Sequence, residues 1–87
     1  MNAKSTQPTK GELASYKLTL FQMIKDSGKM DQPYYESLAE SLDGLNFKEF
    51  TPDHFRNQLL LVIEEMMDLA DLAFDTNQLT AIQHKLR

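Results

Sequence analysis

The chain has 87 residues, 41% of them apolar and 25% charged, with a formal net charge of −4 and no cysteine. That length suits one domain with a modest core, and the apolar fraction belongs to globular rather than disordered chains. The missing thiols exclude disulfides, Cys-ligated zinc and thiol nucleophiles. Charge is unevenly spread: residues 1–29 hold five lysines against Glu12 and Asp26, for +3, and residues 30–87 hold four bases against eleven acids, for −7. An acidic bulk repels nucleic-acid phosphates, and the two parts could attract one another within the fold or across a dimer.

Met1 to about Thr9 is polar, carries Pro8 and reads as a flexible tail, which leaves residues 10–87 as a single helical domain. The two lysines of MNAKSTQPTK precede no uninterrupted apolar core, so a secretory signal is not expected and the cytoplasm is the expected compartment. The longest apolar run, Leu59 to Ile63, falls far short of the roughly 20 residues a membrane span needs.

From Lys10 to Ser27, Leu13, Tyr16, Leu20, Phe21, Met23 and Ile24 recur at three- and four-residue steps, the mark of an amphipathic helix. Gly28 is expected as its left-handed terminator, with Lys25 favouring the last turn. Asp31 then reads as an N-cap, with Pro33 just inside a second helix. That helix carries Tyr34, Tyr35, Leu38, Ala39 and Leu42 inward and Glu36, Glu40 and Asp43 outward, and Gly44 ends it. In LNFKEF, Leu45 to Phe50, the alternation of Leu45 and Phe47 suggests an extended piece, whereas Phe47 and Phe50 at i and i+3 suit one helical turn. Either way it is a connector that docks three large apolar side chains.

The strongest helical signal follows. Thr51 can cap, Pro52 fits the first helical position, and Asp53 meets the positive end of the helix dipole. At about 100° per residue, Asp53, Asn57, Glu64, Asp68, Asp71 and Asp75 form one polar stripe, opposite Phe55, Leu59, Val62, Ile63, Met66, Leu69, Ala70, Ala73 and Phe74. Leu60, Leu61, Met67 and Leu72 border the acids, so the apolar arc exceeds the roughly 100° that a surface helix needs. Such a helix, expected over about 52–75, wants neighbours on several sides. Asp75, Thr76 and Asn77 are then N-cap types before Leu79, Ile82 and Leu86, so either a short fourth helix follows or the long one continues with a kink. His84, Lys85 and Arg87 suit a helix C-terminus. The expected fold is all-α: a small three- or four-helix bundle around a long central helix.

Catalytic patterns are missing. There is no G-x-S-x-G elbow, and Gly11, Gly28 and Gly44 are isolated, so neither a P-loop nor a dinucleotide fingerprint is possible. Neither His54 nor His84 has a glutamate three residues before it, as di-iron bundles require. Asp43, Leu45 and Phe47 do not supply the alternating oxygens of a calcium loop. Histidine phosphotransfer bundles expose one helical histidine, but Phe55, Arg56 and Asn57 after His54 are not the lysine and small residues found there. Glu40-Ser41-Leu42-Asp43 resembles the phosphopantetheine-accepting serine motif of acyl carrier proteins over those four residues. It departs from the family at Glu40, where that family has aspartate, and it places Ser41 near a helix end instead of a helix start. A helix-turn-helix needs a turn of three or four residues, and Asp43 to Thr51 is nine.

No catalytic, cofactor or metal residue is therefore assigned. The expected function is non-enzymatic: a protein–protein interaction or regulatory module acting through helix packing, its partner another protein or a second copy of the chain. Leu60, Leu61, Met67 and Leu72, with Asp68 and Asp71 beside them, are the expected partner-binding residues, because methionine and leucine at the margin of an acidic stripe suit an adaptable contact. The alternatives are a small acidic carrier or metal-binding bundle, an acidic regulator whose stripes, Glu36, Glu40 and Asp43 with Glu64, Asp68, Asp71 and Asp75, imitate nucleic-acid phosphates, and a helix-turn-helix-like DNA-associated regulator.

Overall fold

Four helices make up the secondary structure of the computed structural model, which describes residues 8–69 and 74–87. The first, α1 (Lys10–Asp26), starts at a capping box: Thr9 Oγ1 accepts from the Glu12 N–H at 3.1 Å and Glu12 Oε1 accepts from the Thr9 N–H at 2.8 Å. Two orphan donors are thereby satisfied, a device worth about 1 kcal/mol. Thr9 thus belongs to the helix and not to a tail; of the expected tail, residues 1–7 lie outside the described residues. Past the Ser27 cap the chain turns at Gly28, whose φ of 75° is the left-handed value expected of it.

The second helix, α2 (Pro33–Asp43), is capped by Gln32, which makes no side-chain capping bond, and not by Asp31 as expected. The reason is local. Proline holds the first helical position and pushes the residue before it out of the helical region, so the cap must be Gln32, found at φ −89° and ψ 131°. Gly44 closes α2 in the right-handed conformation. In the connector, Asn46 Oδ1 accepts from the N–H groups of Lys48 and Glu49, both at 2.9 Å, and the Phe50 N–H reaches Asn46 O at 3.1 Å. LNFKEF is a single helix-like turn. It buries Leu45 and stacks Phe47 on Phe55, with centroids 4.3 Å apart and planes 9° from parallel. Lys17 of α1 fastens it by donating from Nζ to Leu45 O at 2.6 Å.

The third helix, α3 (Pro52–Asp68), starts as its sequence requires, with Thr51 Oγ1 accepting from the His54 N–H at 3.2 Å. It stops at Asp68, short of the expected end near residue 75. Leu69 has left the helical region, at φ −105° and ψ 3°, and its N–H turns back to Met66 O at 3.0 Å. Residues 70–73 are outside the described residues. Asp75 then caps a separate helix, α4 (Thr76–Leu86), accepting at Oδ1 from the N–H groups of Asn77 (2.9 Å) and Gln78 (3.3 Å). A strong N-cap sequence competes with helix continuation, and here it wins.

α3 packs against each of the other three helices, and α1 also packs on α2. It is the central helix that its wide apolar arc called for. Phe55, Leu59, Ile63 and Met66 on it are essentially sealed from solvent, alongside Leu20 and Ile24 of α1, Leu42 of α2 and Leu79 of α4. Among the described residues no polar side chain is buried in this core. Arg56 reaches across to α4, where Nη1 donates to Leu86 O at 3.0 Å while its buried Nε finds no partner. That bond holds the end of α4 against α3.

Among the described residues no ion pair joins the basic residues of α1 to the acidic part of the chain. Among the described residues the one salt bridge joins Arg87 to Glu64, 3.8 Å apart on the surface. The α1 lysines engage other groups: Lys17 the Leu45 carbonyl, Lys10 the Phe47 ring and Lys25 the Phe21 ring. No helix among the described residues is long and apolar enough to cross a membrane.

Candidate interaction surface

A helix with three neighbours covers most of its apolar arc, so the residues left open mark where the packing runs out. On α3 that residue is Leu61, 51% exposed although Leu59, Val62 and Ile63 around it are buried. Leu61, Glu65 and Asp68 follow at i, i+4 and i+7, so they share one face of the helix. Across from them stands Tyr34, the second residue of α2, 48% exposed. Partial burial, then the carboxylates of Glu65 and Asp68, push the Tyr34 phenol above its ordinary pKa. The face therefore combines two half-open apolar side chains with two carboxylates.

The residues expected to bind a partner are divided by the fold. Leu60 and Met67 lie on the stripe of Arg56, which faces α4, and both are half-buried against the core. Leu61 and Asp68 lie on the α2 side and are exposed. Leu72 and Asp71 fall outside the described residues. Tyr34 was expected to point inward with Tyr35. It sits about 100° around α2 from Tyr35, far enough that Tyr35 is buried, 5.9 Å from the Phe74 ring, while Tyr34 is not. The sequence carries a signal for this, since Leu38, Ala39 and Leu42 all stand within about 60° of Tyr35 around the helix, whereas Ala39 stands about 140° from Tyr34. Leu18, the most exposed large apolar residue among the described ones at 66%, carries a similar one, standing about 140° from Leu13 on α1.

The acidic stripe expected along one long helix is also broken up. Glu64 pairs with Arg87, Asp68 ends α3, and Asp75 serves as the cap of α4. Among the described residues no group of three or more His, Asp or Glu is arranged to hold a metal ion. Ser41 is exposed in the last turn of α2, His54 in the first turn of α3 and His84 in the last turn of α4. Eight residues, 44–51, separate α2 from α3, twice the turn of a helix-turn-helix.

Grooves flank α1 on both sides. The larger, about 430 Å³, runs between α1 and α4 and is lined by Leu18, Thr19, Gln22, Met23, Asp26 and Gln78. Its one ionisable side chain, Asp26, already accepts from Gln22 Nε2 at 2.8 Å. The other, about 280 Å³, lies between α1 and α2. No known protein family, curated protein or solved structure matches the chain.

Proposed function

We propose that the chain is a non-enzymatic interaction module that binds another protein, or a second copy of itself, in the cytoplasm through the face shared by α2 and α3. The observation that carries this reading is the 51% exposure of Leu61 in the middle of the central helix, where Leu59, Val62 and Ile63 are buried. Half-exposed Tyr34 and the carboxylates of Glu65 and Asp68 surround it. An apolar anchor in a polar rim is the usual anatomy of an interface, and tyrosine is among the residues that contribute most to binding. Leu60 and Met67, on the opposite flank, are half-buried against the core.

The test is affinity isolation from the source cell with wild type and Leu61→Lys, both shown to be folded. Leu61→Lys places a charge where the partner's apolar surface must sit, and it is expected to lose the bound protein at a stability cost of no more than about 1 kcal/mol. Retention of every bound protein by the variant would refute the assignment. Light scattering separates the two kinds of partner, since a second copy doubles the 10.0 kDa mass.

A further inference from the structure

The groove between α1 and α2 lies on the other side of α2. Its floor is apolar, made by Phe21, Met30 and Ala39, and its rim is three carboxylates, Glu36, Glu40 and Asp43. The three acids follow at i, i+4 and i+7, so they stand in one row about 10 Å long. They lie about 180–240° around α2 from Tyr34, which separates this row from the Leu61 face. All three are exposed, and none takes part in an ion pair within the described chain. The Phe21 ring in the groove wall meanwhile carries the Lys25 ammonium 5.8 Å from its centroid. The groove thus presents apolar surface, an uncompensated row of negative charge, and an aromatic ring already in contact with a cation.

We propose that this groove is a second docking site, and that its occupant is a basic amphipathic helix of a partner protein. Two or three leucine-like side chains would lie over Met30, Ala39 and Phe21, and lysines or arginines spaced i, i+4 and i+7 would face Glu36, Glu40 and Asp43. The spacing is the argument for a helix, because one helix repeats its charges at the same interval as the row it faces. Charge complementarity is the argument for a basic one. At about 280 Å³ and open along its length, the groove admits side chains from a surface laid over it and is below the usual size of a pocket enclosing a small molecule.

The probe is an 18-residue amidated peptide of leucine, lysine and alanine, patterned as an amphipathic helix with lysines flanking the leucine stripe. Two control peptides have the same composition in scrambled order, and glutamate in place of lysine. Affinity is read by fluorescence anisotropy, and the contact by amide shift mapping of the whole protein. The expected result is saturable binding with shifts centred on Met30, Ala39 and Glu40. The triple variant Glu36→Gln, Glu40→Gln, Asp43→Asn, folded by circular dichroism, should bind about tenfold more weakly, the sum of three exposed charge pairs. Raising salt to 0.5 M should weaken wild-type binding similarly. Leu61→Lys should bind as wild type does, which keeps this test separate from that of the α2–α3 face. The proposal is overturned if the scrambled peptide binds equally well, if the triple variant keeps wild-type affinity, or if shifts centre on Leu61. A self-association that maps to Met30 and Ala39 would likewise overturn it, by making the occupant a second copy.

Discussion

Leu59 and Leu61 are the same residue type on the same helix, two positions apart, and the fold gives them opposite fates: Leu59 is 0% exposed and Leu61 is 51% exposed. Truncating each to alanine therefore isolates burial from every other variable. Leu59→Ala removes a fully buried side chain and leaves a cavity, at a cost of about 3–5 kcal/mol. A domain of this length has about 4–13 kcal/mol to lose, so that variant sits near the edge of folding. Leu61→Ala gives up about half of the roughly 1.5–3 kcal/mol that full burial of leucine provides, or about 1 kcal/mol. In urea, with a slope near 1–1.5 kcal/mol/M, Leu59→Ala should lower the midpoint by about 2–5 M and Leu61→Ala by no more than about 1 M. Equal losses would show that Leu61 is covered within the folded chain, which would remove the surface on which the proposed function rests.

Three further outcomes follow from individual contacts. Asp75→Ala removes the carboxylate oxygen that accepts both bonds at the start of α4 and should cost about 1 kcal/mol, with faster amide exchange confined to the first turn of that helix; unchanged exchange there would deny the capping role. Gly28→Ala should cost about 1 kcal/mol in thermal or urea unfolding, because only the backbone conformation at φ 75° resists it and nothing lies within 4 Å of the added methyl. Tyr34, whose folded pKa is raised, binds its proton more tightly in the native state than in the unfolded one. Its contribution is therefore full below the ordinary tyrosine value and is lost as pH rises through the raised one. Tyr34→Phe should lose less stability than wild type as pH rises above the ordinary tyrosine value of about 10, and Glu65→Gln should lower the Tyr34 midpoint in a tyrosine-resolved NMR titration; no movement would place Glu65 away from the phenol.

Much of this architecture is legible in the residues. Thr51-Pro52-Asp53 marks the start of α3, and its wide apolar arc requires the three neighbours it has. Its end is not legible, because Leu69 to Phe74 continue an apolar helical period and only the capping strength of Asp75 argues for a break. Asp31 shows the same limit in miniature: a good capping residue was displaced by the geometry of Pro33. The candidate surface is legible only in part. Periodicity puts Leu60, Leu61 and Met67 on the margins of one arc, but which margin α4 covers is decided by tertiary packing, with Arg56 reaching Leu86 on one side and Tyr34 meeting Glu65 and Asp68 on the other. The acidic groove depends on how α1 lies against α2, and no spacing within a single helix reports that.

The most direct test of the interaction reading places a photo-crosslinking amino acid at position 61 in the source cell, with the same group at exposed Thr80 of α4 as the reference. A discrete adduct from position 61, of one mass and absent from position 80, is the predicted result. No adduct from position 61, or the same diffuse adducts from both positions, would contradict it.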